Sequence, residues 1–535
     1  MSATYFIGVD VGTGSARAGV FDATGAMLGS GKHDIDLFRD SGDIAEQSSE
    51  DIWQAVARSV REAVRSSGVD PAWIKGIGFD ATCSLVVVGE GGQPLPVGAP
   101  DAPQRNIIVW MDHRASAQAA RINATKHQVL DYVGGTISPE MQTPKLLWLR
   151  ENRAQTYVAA WQFFDLADYL TWRATGSLVR SVCTLTCKWT YLAHEQRWDP
   201  SYFAAVGLDD LAADGFARVG TEVVPGGTRL GDGLTAAAAA DFGVPLGTAV
   251  GAGLIDAHAG GLGTVGARGG QGSVQSRMAY VFGTSACTMT TTDGPAFVPG
   301  VWGPYYSAMV PGLWLNEGGQ SAAGAAIEQL VQYHPASPGA REHAEAEGLS
   351  LVAWLAREAE RAGGAAQAPE LIGTIHVVPE FLGNRSPHAD PDARALIAGL
   401  DMNGGLKTLI GLYLAGLAGL GYGVRQIIAA QAEQNIEIDT IVVSGGAAQS
   451  PLVRQILADA TGVTVAATDA EEPVLLGAAM LGALAHGHFP DALAAMPAMS
   501  ALGDQYRPNP AWRAWHTRRG EAFGRLQDAA RAIRS

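Results

Sequence analysis

A chain of 535 residues exceeds what one hydrophobic core holds, so two large domains are expected. A hydrophobic fraction of 47% excludes a disordered chain, and 67 glycines against 17% charged residues favour strands and tight turns over long solvated helices. The net charge of -16 excludes a broad basic face for nucleic acid or an anionic membrane, while leaving room for a local phosphate site.

In chain order, Tyr5 to Val9 is apolar and β-rich with no basic flank before it, so no signal peptide is expected. Asp10 to Ser15 is a turn, Ala16 to Phe21 a returning strand, and Asp22 to Gly25 leads into a third strand near Met27. Ser48-x-x-Asp51 is a variant capping box, and Ile52, Val56, Val60 and Val64 predict a helix from Ser49 to Arg65. Ile74 to Phe79 and Leu85 to Val88 are further strands, which begins a mixed α/β layer. The opening then recurs after the glycine-rich patch Arg268 to Ser273: strand Met278 to Phe282, turn Gly283-Thr-Ser285, strand Cys287 to Thr292. Two copies of one opening point to a duplicated fold. The connection His334 to Ala368, rich in Ala, Glu and Arg, reads as a helical insertion on the surface. Leu406 to Gln434 is a long apolar-periodic helix, Thr440 to Val443 a strand, and Pro451 to Thr461 and Val474 to His486 are helices. The tail from Tyr506 ends in an Arg-rich amphipathic helix, read as a packing element. No uninterrupted apolar run reaches the roughly 18 residues of a membrane span. The four cysteines, Cys83, Cys183, Cys187 and Cys287, form neither a disulfide framework nor a paired zinc site. A soluble cytoplasmic protein with reduced thiols is therefore expected.

Asp10-Val-Gly12-Thr13-Gly14-Ser15-Ala-Arg17 joins two strands with small and hydroxyl residues framed by a carboxylate and a guanidinium. A nucleotide triphosphate with its metal needs such parts, and an ordinary hairpin turn uses the same residues, so on local sequence the two readings weigh equally. Gly283-Thr284-Ser285 repeats the pattern without the acid, which tips the balance towards phosphate. Ser444-Gly445-Gly446-Ala447 lies between a strand and a helix, where a turn lacking side chains lets a nucleotide approach the backbone. Gly261-Leu-Gly263-Thr-Val-Gly266 spells a dinucleotide fingerprint but has no strand before it and no helix after it, and no P-loop occurs. The stretch Gly251 to Gly261 sets Asp256 and His258 among residues with almost no side chain; taken alone it reads as a linker whose Asp caps a helix.

Together these motifs resemble the FGGY sugar kinases. The resemblance rests on Asp10 to Arg17, the Gly283 turn, Gly253-Leu-Ile-Asp256-Ala-His-Ala-Gly260 and Ser444 to Ala447 in that order, and it spans Ile7 to about His486. It implies an α/β fold of two actin-like, ribonuclease H-like domains, 1–262 for sugar and 263–535 for nucleotide, with an ATP cleft between them. Trp110-Met-Asp112-His-Arg114, Thr184-Leu-Thr-Cys-Lys188-Trp189, Asn316-Glu317-Gly-Gly-Gln320 and Phe381-Leu-Gly-Asn-Arg385-Ser-Pro387 resemble the ribulokinases, and the Cys-Lys-Trp segment resembles D-ribulose kinases. The implied activity is ATP-dependent phosphorylation of a pentulose at its terminal hydroxyl, D-ribulose first, with L-ribulose, xylulose or ribitol as alternatives. A non-catalytic actin-like sensor of sugar or ATP is the alternative from another class. By this resemblance Asp256 is the catalytic base and Asp10 holds Mg2+. Gly12, Thr13, Gly14, Arg17, Gly283 and Thr284 face the phosphates, while Gly445, Gly446 and Ala447 face the nucleoside. Cys83, Lys188, Asp256, Glu317 and Gln320 form the sugar pocket. Lys188 stands out as one of only six lysines, although its stem packing on Trp189 with its head in water is a competing reading. His258 reads either as tuning Asp256 or as structural, and Asp112 with Arg114 either as a loop support or as a surface ion pair. Partners are a small sugar and ATP, with no nucleic acid or membrane; a homodimer is the assembly the resemblance suggests.

Overall fold

Each half of the chain builds one sheet. The computed structural model describes residues 4–40, 42–446 and 450–534. The first half opens with β1 (Tyr5–Val11), β2 (Ser15–Asp22) and β3 (Met27–Asp34), an antiparallel meander whose apolar face is covered by α1 (Ser49–Ser67). Helix α1 begins where the Ser48 side chain accepts the Asp51 N–H, and it ends at Gly68 in the left-handed region. β4 (Ile74–Ala81) then adds parallel to β1. After the short helix α2 (Val182–Lys188), strands β5 (Ala249–Val250) and β6 (Leu254–Ile255) pair parallel to β4 and lead into α3 (Asp256–Leu262).

The second half repeats the plan. β7 (Arg277–Phe282) and β8 (Ala286–Thr292) form a hairpin, extended by β9 (Trp302–Tyr306) and β10 (Trp314–Gln320). Helix α4 (Leu406–Ala432) precedes β11 (Thr440–Ser444), which is parallel to β7; α5 (Pro451–Thr461) and β12 (Thr464–Thr468) follow. Next come α6 (Pro473–His486), β13 (Leu502–Tyr506) and α7 (Arg513–Arg534). The sheet orders are β5-β4-β1-β2-β3 and β9-β10-β8-β7-β11-β12-β13. In both, an antiparallel meander is followed by two parallel strands, so the duplication expected from two short matches extends through five strands.

Among the described residues α4 is the one helix long and apolar enough to cross a membrane, yet 89% of its most apolar stretch is buried inside the protein. It is the axis of the second core, which contains Leu409, Tyr413, Leu417 and Leu420. The segment 334–368 is helical as expected, in Ser337–Ala346 and Leu351–Arg361, and lies at the surface with one stripe of each helix packed inward. Ala340, Ala344, Trp354 and Leu355 belong to the same core, because one apolar stripe on each helix needs cover. The Arg-rich tail helix α7 packs through His516, Arg519 and Phe523.

Helix α6 belongs to the second half by sequence and lies against the first sheet by packing. Its backbone approaches the strands so closely that a Cβ on Gly8 would stand 1.9 Å from the Leu475 carbonyl oxygen, and one on Gly78 would stand 2.0 Å from that of Ala478. On the other side of α6, Gly477 meets the Ala259 carbonyl of α3 at 1.9 Å by the same measure. The glycines around Asp256 serve this packing: a Cβ on Gly251 would be 2.5 Å from the Leu481 oxygen. The stretch is therefore a buried strand-turn-helix clamped by α6, and no flexible linker. Replacing Gly8 or Gly78 by Val forces α6 off the sheet, and we expect a loss of about 3 kcal/mol or more of unfolding free energy in urea titrations, with overpacking of a rigid backbone contact as the cause.

Candidate active site

Each hairpin turn is closed by the N–H of its leading glycine, reaching three residues ahead in the first and two in the second. Gly12 N–H donates to the Ser15 carbonyl at 3.0 Å, and Gly283 N–H donates to the Ser285 carbonyl at 2.9 Å. Those two N–H groups are spent on the turns, which present Thr13 and Gly14 on one side and Thr284 on the other at their tips. Trp110 Nε1 donates to the Thr13 hydroxyl at 3.0 Å and Gln47 Nε2 to its carbonyl at 2.8 Å, so the first tip is held from behind. Register places Arg17 opposite Asp10, and the guanidinium bridges Asp10 and Glu472, the latter at 2.9 Å. Glu472 immediately precedes α6, so the ion pair ties the first turn to the second half. Arg17 also opens onto a cavity of about 500 Å³ lined by Ser444, Gly445, Gly446, Arg454 and Glu472. This cleft holds a nucleoside-sized volume with a cation at its inner end. Ala447 lies outside the described residues.

A second carboxylate stands beside Asp10. Asp80 is its register partner on parallel β4, is fully buried, and has a hydrogen-bond partner on neither oxygen. Burial, then the charges of Asp10 and Asp256, push Asp80 well above the usual carboxylate range. Asp256 is the first residue of α3; its Oδ1 accepts the Ala257 N–H at 2.8 Å, so it faces the cleft without capping the helix in the ordinary way. Burial first, and Asp10 second, raise it to about 6, against the pull of the Ala257 N–H, His258 and Lys188. No group of three or more His, Cys, Asp or Glu able to hold a metal occurs among the described residues. Two adjacent carboxylates with free oxygens nevertheless suit Mg2+, which favours a few hard oxygen ligands completed by water and phosphate.

The remaining polar groups meet deeper in the first half. Helix α2 is set by Asp168, which accepts the Ser181 N–H at 2.8 Å and the Thr184 hydroxyl at 2.6 Å, while the Ser181 hydroxyl accepts the Cys183 N–H at 3.2 Å. Its last residue, Lys188, is only 6% exposed, and its ammonium lies over the Trp302 ring, 5.2 Å from the centroid. The reading of a head in water is therefore overturned, and Trp189 instead bonds Asp165 at 3.2 Å. Burial pulls Lys188 down, yet Glu317, Cys83 and Tyr305 together hold it well above the ordinary lysine range. Glu317 is buried on β10; against burial, Lys188 first and His258 next bring it down to about 2. The Cys83 thiol is pushed up to about 12 by burial. Gln320 is differently placed, with its amide committed at both ends, accepting from the Tyr280 hydroxyl at 2.7 Å and donating to the Leu420 carbonyl at 3.0 Å. His258 Nε2 is 3.3 Å from Glu317 Oε2. Arg114 and Asp112 are no surface pair: Arg114 is 4% exposed and Asp112 fully buried, with Glu46 at 2.8 Å completing the cluster.

Four groups here escaped the sequence reading. Asp80 was legible as a carboxylate inside an apolar strand. Tyr305 is a buried hydroxyl without a partner, close enough to Lys188 and Glu317 for their charges to act on it. Trp302 lies opposite Glu317 in the β9–β10 register, and Arg385 stacks on the same ring at 5.4 Å. Nothing local marks Tyr305 or Trp302, since partners distant in the chain decide their direction, and Arg385 stood in the sequence only as part of a motif without a role.

Two duplicated α/β halves thus bring together matching hairpin turns, a cleft of about 500 Å³ and a buried cluster of charged groups. The carbohydrate kinase models of the FGGY family match residues 5–263 for the N-terminal domain and 278–486 for the C-terminal domain. The chain is 46% identical over 531 residues to a human FGGY carbohydrate kinase domain-containing protein, covering 98% of this chain and 96% of that one. It is 37% identical over 519 residues to the D-ribulokinase YDR109C of Saccharomyces cerevisiae, covering 91% and 72%. A xylulose kinase structure from Lactobacillus acidophilus shares the fold, with a TM-score of 0.80, 20% identity and 99% of each chain covered. The chain belongs to the FGGY family of carbohydrate kinases.

Lys188 and Glu317 are opposite charges that stabilise one another across a buried site without touching, so removing one leaves the other uncompensated. Lys188→Met is expected to lower stability by about 3 kcal/mol in urea unfolding at neutral pH, with most of the loss recovered in the Lys188→Met/Glu317→Gln double variant.

Proposed function

We propose that this kinase phosphorylates the terminal hydroxyl of a pentulose, D-ribulose to D-ribulose 5-phosphate, using ATP and Mg2+. The observation that carries the reading is the buried pair Lys188 and Glu317, with Asp256 near enough for the Lys188 charge to act on it, in which the lysine ammonium faces an aromatic ring and makes no ion pair or hydrogen bond among the described residues. Hydroxyls of a small polyol would complete such a site, and a buried polar group left unmade is costly enough to demand a ligand. The likeness to a D-ribulokinase supports the choice of sugar. We assign residues 1–262 to sugar and 263–535 to nucleotide, and the cytoplasm as the place of action.

In this mechanism Asp256 accepts the proton of the sugar hydroxyl as the hydroxyl oxygen bonds to the γ-phosphorus and the bond from that phosphorus to the β,γ-bridging oxygen breaks, releasing ADP. A base raised to about 6 is still ionised at neutral pH and is a better proton acceptor than an ordinary carboxylate. Lys188, Glu317 and Cys83 hold the sugar, and Gln320 forms the wall behind them. Arg17, with the Gly12–Gly14 and Gly283–Thr284 turns, receives the phosphates, while Gly445 and Gly446 flank the nucleoside. Asp10, with Asp80 beside it, would hold Mg2+, which neutralises phosphate charge during transfer. Water exclusion follows from burial, which matters because water competes as phosphoryl acceptor.

An assay of ADP release with D-ribulose, L-ribulose, D- and L-xylulose, ribitol and glycerol tests the substrate; D-ribulose is expected to give the highest kcat/KM, and a preference for another member of the panel refutes the choice. Asp256→Asn should lose at least about a thousandfold in kcat while retaining ATP binding by calorimetry. The sign of the pH effect follows from the raised carboxyl: activity is fully present above about 6 and falls tenfold per unit below it, so kcat/KM for the sugar should show an acid limb near pH 6 instead of near 4.

A further inference from the structure

Cys183, His258 and Glu317 form one buried line of hydrogen bonds. Cys183 Sγ is 3.0 Å from His258 Nδ1, and His258 Nε2 is 3.3 Å from Glu317 Oε2. The same sulfur accepts the Ile255 N–H at 3.4 Å, the residue just before Asp256. Two residues earlier, at the N-cap of α2, the Ser181 hydroxyl donates to the Gly253 carbonyl at 2.6 Å. Thus the N-terminus of α2 grips the strand that delivers the base, and the imidazole two residues beyond the base grips a carboxylate from the other half of the chain. Cys183 is fully buried and His258 is 1% exposed, so this is no nucleophilic cysteine with its base.

We infer that His258 is a positioning residue with two separable duties: through Nε2 it aims Glu317 at the sugar, and through Nδ1 and Cys183 it fixes the turn that places Asp256. The inference rests on the sugar-kinase reading in which Glu317 holds substrate and Asp256 is the base. A ring nitrogen on each side is what the geometry requires, since the sulfur and the carboxylate stand on opposite edges of one imidazole. Electrostatics agree with an imidazole that donates on both sides. Burial lowers its pKa, but Cys183 and then Glu317 raise it to about 10. Against burial, Cys187 and His258 hold the Cys183 thiol below its usual range. A sulfur receiving two N–H groups and a carboxylate receiving a third are then all satisfied in a dry interior.

The two duties separate by side-chain length. The Asn amide reaches only as far as Nδ1, and the Gln amide extends to the place of Nε2. His258→Asn therefore keeps the Cys183 arm and loses Glu317, and it should raise KM for the sugar about tenfold with kcat within about threefold of wild type. His258→Gln keeps the Glu317 arm and should lower kcat about tenfold with KM for the sugar within about threefold. Cys183→Ala, which touches only the second arm, should match His258→Gln, and Cys183→Ser, whose hydroxyl accepts the Ile255 N–H, should recover part of kcat. KM for ATP is expected to be unchanged throughout. Equal shifts of KM and kcat in the Asn and Gln variants, or Cys183→Ala raising sugar KM, would overturn the inference. If both His258 variants fail to fold, the Cys183 pair decides it by the same criterion. Wild-type protein that turns over no sugar in the panel removes the parent reading, whereas an active wild type with no split between variants removes only this inference.

Discussion

Asp10, Asp80 and Asp256 are brought together by β1, β4 and the start of α3, and nearly everything around them answers their mutual repulsion. Carboxylates this close, two of them buried, are untenable without cations or protons. Arg17 meets Asp10 from across the hairpin, Lys188 and His258 act on Asp256, and Asp80 is left with unsatisfied oxygens. The site is thus pre-arranged by strand register, which is rigid, and needs no loop to carry its acids.

Helix α6 makes the two halves act on one another. It follows β12 of the second sheet and the Glu472 that pairs with Arg17, then lies on the first sheet at backbone distance from Gly8 and Gly78. A helix seated on glycine cannot slide without meeting carbonyl oxygens. The cleft of about 500 Å³ is lined in part by residues just before α6, and the same helix clamps the Asp256 segment from behind, through Gly477 against Ala259.

The sugar cluster combines contributions from chain positions far apart: Cys83 after β4, Cys183 and Lys188 on α2, Trp302 and Tyr305 on β9, Glu317 on β10, and Arg385 from a later loop. All four cysteines are free and lie in this neighbourhood, where burial keeps Cys83 and Cys287 as thiols. Trp302 is the shared floor, with Lys188 and Arg385 both over its ring, so two cations are stored against one π face in place of two carboxylates. Such an arrangement holds charge ready for hydroxyl oxygens without locking it in ion pairs.

By itself the sequence determined the local periods and the local chemistry. Apolar runs bounded by turns located β1, β2, β4, β7, β8 and β11 to within about two residues but missed β5, β6, β9, β10, β12 and β13; capping and 3.6-residue spacing located α1, α4, α5 and α6, and the repeated Gly-Thr turn revealed the duplication, because these signals come from neighbours in the chain. Asp10, Arg17, Lys188, Asp256 and Glu317 were legible because each sits in a compact run of unusual residues. Tertiary structure alone decided what those residues face. The pairing of Asp80 with Asp10 needed the parallel β1–β4 register, and the orphan hydroxyl of Tyr305 needed β9 to pack near α2. The inward packing of one stripe on each of helices 337–346 and 351–361 needed the apolar flank of the second core. The glycines around Asp256 show the division most plainly: composition marked them as a linker, whereas α6, arriving more than two hundred residues later, makes them the places where one backbone rests against another. Side-chain direction and close approach are properties of pairs of segments, and a single stretch of sequence carries only one member of each pair.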